Sequence, residues 1–321
     1  MAMKLAGVIT GIIWSAVLTS CGPRPPGASS GALTLRPLFG PAIGPEVIAG
    51  RAEDLDARAP VVLLVGDQAL VTIDPATGTV RRQTIQLPPG SACWGLARLR
   101  DGSLWTLKGR RALVRVLETG EIAREVPLTE TQFGLFGQGD QLLYQPADFI
   151  PPAPALFAGR PGDPQRVAWS SLRTRPFALA RASAAALNLV SCGASVRAER
   201  PCWFPDESAI YLVDEAGGTR RLELAGLYRV APEVLLTSDN PARPVRDAYV
   251  DAAGTIWVLS TGAPPSPAPD VLGGWVLARY RSGGEPMGAW RLSEPVRLIL
   301  RAEAGRALVL TGAGMVAEAI P

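Results

Sequence analysis

The chain has 321 residues, 47% of them hydrophobic and 19% charged, the balance of a folded, core-building protein rather than a disordered one. Its net charge is +3, from 32 Lys+Arg against 29 Asp+Glu scattered along the chain, which leaves no electrostatic footprint for nucleic acid. It contains no histidine, which excludes serine-histidine triads, H-E-x-x-H zinc sites and histidine-dependent lyases.

At the N-terminus, Lys4 precedes an apolar run from Leu5 to Leu18 and then the small residues Thr19 and Ser20, the order of a secretory signal. A helix of that run would span about 21 Å, short of the roughly 30 Å hydrocarbon core that a permanent span must cross. Leu18-Thr19-Ser20-Cys21 resembles the lipobox of bacterial lipoproteins, in which the cysteine thiol receives a diacylglycerol and the peptide before it is removed. The resemblance implies that residues 1–20 are a signal peptide, that Leu18, Thr19 and Ser20 are the signal-peptidase motif, and that Cys21 is the lipidation site. Several acyl chains would hold the protein stably on a membrane. Gly22 stands where aspartate marks inner-membrane retention in Gram-negative lipoproteins, so the resemblance favours the outer membrane, facing the periplasm or the cell surface. The competing reading is an ordinary signal peptide that contains a cysteine. Gly22 to Gly31, with Pro23, Pro25, Pro26, Gly27, Ser29 and Ser30, reads as an extended tether of about 30 Å. Residues 21–32 are thus the lipidated cysteine and tether, and residues 33–321 the folded body.

Along the body, a turn followed by a short alternating strand with an aromatic residue recurs. Gly102-Ser103-Leu104-Trp105-Thr106-Leu107 returns as Gly254-Thr255-Ile256-Trp257-Val258-Leu259, and looser copies follow Gly66, Gly139, Asp206 and Gly305. A second turn usually comes later in the unit, at Gly78, Gly120, Ala216-Gly217-Gly218 and Gly312-Ala313-Gly314. The units read as strand, turn, strand, turn, strand, as in Val61 to Val65, Leu70 to Asp74 and Thr79 to Leu87. The insertion Gly262 to Asp270 carries four prolines and reads as a loop.

Repeated strand units of this size predict an all-β fold, a β-propeller of about six blades, with a pair of β-sandwiches as the alternative. Asp251-Ala252-Ala253-Gly254-Thr255-Ile256-Trp257 resembles the D-x-x-G-x-I-W blade motif of regulator and streptogramin-lyase-like propellers. Asp74-Pro75-Ala76-Thr77-Gly78 resembles the D-x-x-T-G turn of quinone-binding-type repeats, including those of an outer-membrane assembly lipoprotein. Streptogramin lyases rely on a histidine that this chain lacks, so the resemblance does not extend to their activity. Leu33 to Leu35 is expected to close the ring by joining the last blade with the strands Val296 to Leu300 and Ala307 to Leu310.

After Cys21, three cysteines remain. Cys192 and Cys202 are the favoured disulfide, worth about 2–3 kcal/mol by loop closure, which leaves Cys93 a buried thiol; Cys93 pairing with either partner stays open. No metal site is expected, since paired C-x-x-C spacing and histidine are both absent. Gly312-Ala313-Gly314-Met315-Val316-Ala317 fits a dinucleotide pattern but has no room for the helix it must open. The carboxylate pairs Asp54 with Asp56, Asp206 with Glu207, and Asp214 with Glu215 read as turn residues. Trp94 and Trp203, each following a cysteine, are the candidates for facing a ligand. No catalytic residue and no cofactor are assigned. The expected partners are the membrane through the lipid, and an envelope protein or glycan bound by a non-catalytic scaffold. The alternative is a carboxylate-based lyase or hydrolase acting on an envelope or imported small molecule.

Overall fold

A computed structural model describes residues 32–52, 56, 58–146, 156–161, 167–168, 190–205, 207–225, 227, 244–261 and 275–321. The signal sequence, Cys21, the tether up to residue 31 and the proline-rich insertion 262–270 lie outside the described residues.

Two short strands, β1 (Ala32–Leu33) and β2 (Arg36–Phe39), precede six sheets. Blade 1 holds β3 (Ile48–Ala52), β4 (Val61–Val65), β5 (Ala69–Asp74) and β6 (Thr79–Thr84). Blade 2 holds β7 (Cys93–Arg98), β8 (Leu104–Lys108), β9 (Ala112–Val116) and β10 (Ile122–Pro127). Blade 3 holds β11 (Gln132–Gln138), β12 (Gln141–Pro146), β13 (Phe157–Gly159) and β14 (Val167–Ala168). Blade 4 opens with β15 (Ser191–Cys192); β16 (Ala194–Ser195) crosses to lie parallel on blade 5, and β17 (Arg200–Trp203), β18 (Ala209–Val213) and β19 (Thr219–Glu223) complete the sheet. Blade 5 holds β20 (Asp247–Val250), β21 (Ile256–Ser260), β22 (Val276–Tyr280) and β23 (Pro286–Leu292). Blade 6 holds β24 (Val296–Glu303), β25 (Arg306–Thr311) and β26 (Val316–Ala319). Each blade is an antiparallel meander, and no helix occurs among the described residues.

The blades pack face to face because their strands are apolar on both sides. In β4, Val61, Leu63 and Val65 meet Leu298, Leu300 and Leu310 of blade 6, while Val62 and Leu64 meet Leu96 and Leu104 of blade 2. A strand of period two with both faces buried reads as an unbroken apolar run, here Val-Val-Leu-Leu-Val. The described core divides into six clusters, one between each pair of neighbouring blades and the last between blades 6 and 1. The molecule is therefore a closed six-bladed β-propeller, not a pair of sandwiches.

At the centre of the ring, the first strands of consecutive blades crowd together. A Cβ at Gly50 would collide with the backbone of Gly95 and Leu96, and one at Gly193 with the carbonyl of Ala248, so these positions admit glycine alone. The first strands of blades 1, 2, 3 and 6 also carry one-residue register shifts, which leave Ala49, Gly95, Phe133 and, in blade 6 with two shifts, Arg297 and Leu300 outside the pairing register. Such bulges re-aim side chains at the strand end. Thr106, fully buried, donates its hydroxyl to the carbonyl of Gly95 at 2.7 Å and so satisfies the bulge in blade 2.

The resembling motifs are turn devices with different wiring. Asp251 accepts the Thr255 amide at 2.8 Å and the Trp257 indole N–H at 3.0 Å. In blade 2 the aspartate stands two residues nearer its tryptophan, and Ser103 relays the contact: its Oγ donates to Asp101 at 2.6 Å and accepts from Trp105 Nε1 at 2.9 Å. In the D-x-x-T-G turn, the Thr77 hydroxyl donates to Asp74 at 2.8 Å and holds that carboxyl below the usual range.

The ring closes through the N-terminus, one step later than expected. The closing strand is Arg36–Phe39, which pairs antiparallel with β26, whereas Ala32–Leu33 adds to blade 5 parallel to β23. Leu35 is the reason: its side chain sinks into the core between blades 5 and 6, and the chain changes sheets around it. Closure is reinforced at the channel. Arg51 of β3 forms a bidentate pair with Asp247 of β20 at 2.8 and 3.0 Å and also donates to the Ile299 carbonyl of β24, while the Ile299 amide donates to Asp247 at 2.7 Å. Blades 1, 5 and 6 are thus joined by one nearly buried ion pair.

Deleting residues 315–321 removes β26 and with it the seat of β2; the expected outcome is loss of the cooperative thermal transition, and an unchanged melting curve would show that the ring does not depend on this closure. Asp247→Ala removes the carboxylate that the Arg51 guanidinium and the Ile299 amide share, and about 3–5 kcal/mol of stability should disappear in denaturant unfolding.

Candidate functional site

The cysteine and tryptophan positions singled out by sequence separate into core and surface. Cys192 and Cys202 stand directly opposite each other across β15 and β17 and form a disulfide. Cys93 is a free thiol, 1% exposed, and burial pushes its pKa up to about 11. Trp203 corrects the expectation that it faces a ligand: it is 4% exposed and fills the core between blades 4 and 5 beside Ile210 and Val250. The bulk of an indole on a blade's second strand is used here to separate two sheets. Trp94 differs, at 37% exposed.

Trp94 belongs to a stack on one face of the ring. The Arg110 guanidinium lies 4.1 Å from the centroid of Trp94 and 5.1 Å from that of Phe133, itself 36% exposed. Arg110 sits in the turn between β8 and β9 with φ of 61°, a left-handed conformation uncommon for a non-glycine residue. That turn is pinned to blade 3, because the Arg110 carbonyl accepts the Gln132 amide at 2.9 Å, and to the end of its own blade's outer strand, because the Arg111 carbonyl accepts the Leu128 amide at 2.8 Å. The Arg110 Nε is buried and has no hydrogen-bond partner among the described residues. Two aromatic faces therefore hold a cation in a fixed place at the rim, each contact worth about 0.5–2 kcal/mol. Neither Arg110 nor Phe133 was singled out by sequence; the signal was the repeated aromatic-glycine step at the start of a first strand, Trp94-Gly95 and Phe133-Gly134.

The opposite face carries a second feature. β7 and β11 run in the same direction, so Trp94 and Phe133 mark one end and Arg98 and Gln138 the other, about 13 Å away. There a cleft of about 200 Å³ is lined by Arg98, Arg100, Gln138, Arg197, Arg200 and Glu215, with glycine backbone between them. Glu215 meets Arg100 at 2.9 Å. Arg200 donates to the Gly193 carbonyl at 2.8 Å and to Gln138 Oε1 at 3.3 Å. Spacing along the sequence gives no sign of this gathering.

The described members of the carboxylate pairs are each engaged elsewhere. Asp54 and Asp206 lie outside the described residues, and Asp56 accepts the Arg58 amide. Asp214 accepts the amides of Ala216 and Gly218 in its turn, apart from Glu215 in its ion pair. Glu207 accepts the Tyr211 hydroxyl at 2.7 Å, and burial together with this acceptor pushes the phenol up to about 12. Among the described residues no three histidine, cysteine or acidic side chains gather as metal ligands would.

No family model and no curated protein matches the chain. Its fold is similar to that of a member of the DUF4221 family from Bacteroides vulgatus, 10% identical with a TM-score of 0.56 over 90% of this chain and 96% of that one. It is also similar to regucalcin, a calcium-binding protein from Agrobacterium tumefaciens, 11% identical with a TM-score of 0.54 over 91% and 95% of the two chains. Virginiamycin B lyase from Staphylococcus aureus overlaps more loosely, 12% identical with a TM-score of 0.48 over 88% and 87%. Identities this low speak for the fold alone, and the first two agree with the propeller described above.

Thiol titration checks the cysteine assignments. Counting Cys93, Cys192 and Cys202 alone, the native protein should show no reactive thiol at pH 8, one after unfolding without reductant, and three after reduction. Two or more before reduction would mean that Cys192 and Cys202 are not joined.

Proposed function

We propose that the chain is a non-catalytic binding or scaffold module, held on the bacterial envelope by lipid at Cys21 and docking a protein partner on the face that carries Trp94, Arg110 and Phe133. The exposed stack of Arg110 on two aromatic rings carries this reading. Tryptophan and arginine are the side chains most enriched where protein interfaces concentrate their energy, and a cation already fixed between rings loses little freedom on binding. The lipobox resemblance at Leu18-Thr19-Ser20-Cys21 and the proline-rich stretch after it support the anchor. Of the carboxylates paired in sequence, Asp56 and Asp214 are held in turns, Glu207 accepts the Tyr211 hydroxyl and Glu215 pairs with Arg100, which supports the binding reading over a carboxylate-based enzyme.

In-cell crosslinking of the affinity-tagged, lipidated protein tests both halves. An envelope protein should copurify in stoichiometric amount, and Trp94→Ala or Arg110→Ala should weaken its binding about 30-fold or more, the effect of a 2 kcal/mol interface anchor. Unchanged recovery with both variants would overturn the docking face. Cys21→Ser should release the protein from the membrane fraction or leave an uncleaved precursor, and normal partitioning and processing would overturn the anchor.

A further inference from the structure

We propose that the outer edge of blades 5 and 6 is the surface on which the body meets the membrane, with a phospholipid bilayer as its occupant. The proposal rests on the reading of Cys21 as the lipid anchor. The first described residue, Ala32, enters the fold on that edge, because β1 is the outermost strand of the blade 5 sheet and β2 the outermost of blade 6. Ala32 follows Cys21 by 11 positions, so even a fully extended link, at about 3.6 Å per residue, keeps the edge within roughly 40 Å of the lipidated cysteine. A body of this size is roughly 50 Å across, and in a ring of six, blades 2 and 3 stand opposite blades 5 and 6. With the anchored edge on the bilayer, the Trp94–Arg110–Phe133 stack stands on the far side, open to a partner.

The exposed side chains of that edge suit a bilayer. Outer strands elsewhere present charge: Arg81 and Arg82 on β6, Arg124 and Glu125 on β10, Arg220 and Arg221 on β19. In blades 5 and 6, by contrast, Leu38 of β2 is 39% exposed, Met287 of β23 42%, and Ile320, just past β26, 55%. The Trp290 ring of β23 is half-buried and lies over Gly288, where a Cβ would strike it. β1, β2 and β23 hold no acidic residue that would oppose an anionic headgroup, and their charges are Arg36 and Arg291. Arg36 keeps 71% of its side chain exposed and reaches Glu318 only at 4.0 Å, a surface pair of little worth. Leucine, methionine and isoleucine lose water on entering the headgroup boundary, tryptophan belongs at that level, and arginine extends its guanidinium to the phosphates. So few aliphatic side chains bind a membrane weakly by themselves. Linked to an acyl anchor the same contact becomes intramolecular, and the short link gives it a high effective concentration.

The test places an environment-sensitive fluorophore on the full-length lipidated protein in vesicles of phosphatidylethanolamine and phosphatidylglycerol that carry a nitroxide-labelled lipid. Thiol labelling is selective, since Cys93 is buried and Cys192 and Cys202 are joined. The label goes on Leu38→Cys or Met287→Cys at the edge and, as the control, on Leu117→Cys, 37% exposed in the turn after β9 of blade 2. Two edge positions guard against either substitution disturbing the fold. The edge labels should shift to the blue and be quenched by the nitroxide, while the label at Leu117 keeps its aqueous spectrum. Arg36→Glu with Ile320→Asp, at unchanged melting temperature, should abolish the shift on Met287→Cys while the protein stays on the vesicles. Equal spectra at edge and control, a larger shift at the control, or an unchanged shift in the double variant overturns the membrane contact and leaves the anchor standing. A shift that appears without vesicles shows a second copy of the chain on this edge and overturns the contact as well. Failure of the parental protein to partition into vesicles overturns the anchor reading, and this proposal with it.

Discussion

Every blade of this protein must have a neighbour on each side, and the ring exists because the N-terminal strand makes the last neighbour complete. The alternating residues of β4 illustrate the constraint: one set is covered only by blade 6 and the other only by blade 2. At about 25 cal/mol per Å² of apolar surface, an uncovered blade face would forfeit several kcal/mol, so an open arc of blades has no stable form. The pairing of Arg36–Phe39 with β26 supplies the missing outer strand, and the Arg51–Asp247 pair with its link to Ile299 draws the first strands of blades 1, 5 and 6 together. Removing the two charges from water is costly, and the bidentate geometry with added backbone partners offsets that cost.

A closed ring fixes where loops can go. Each blade sends its first and third turns to one face and its second to the other, so residues far apart in sequence meet at the rim. Arg98 and Arg200 converge although about a hundred positions separate them, and Trp94 meets Phe133 because neighbouring first strands run in the same direction. The bulges at Gly95 and Phe133 do further work here, since they turn the strand starts out of register and place aromatic side chains at the surface. One Arg110 carbonyl, accepting from Gln132, ties this surface to the next blade. The two faces consequently differ in chemistry, one aromatic with a fixed cation and one cationic and concave.

The outer strands of blade 1 were legible because they alternate between glycine turns; Val61 to Val65 and Leu70 to Asp74 emerge nearly at their observed limits. The first strands of blades 1, 2 and 3 were not, although Val296 to Leu300 of blade 6 was. Ile48–Ala52, Cys93–Arg98 and Gln132–Gln138 each contain a glycine and a register shift, which break the period of two that marks a strand. The functional residues suffered most, since the aromatic stack and the cleft both stand at the ends of those same strands. Trp203 misled for a related reason: an irregular flank beside a cysteine looks like a loop, yet it is a second strand buried between sheets.

By itself the sequence determined the repeat, the all-β class and the absence of histidine chemistry, because strand alternation, turn glycines and composition are local properties of the chain. The number of closed interfaces, the strand that completes blade 6, the burial of Trp203 and the gathering of four arginines were decided only in the tertiary structure. Those features depend on which faces and ends meet across the ring, and strand order and register, not adjacency in sequence, set such meetings.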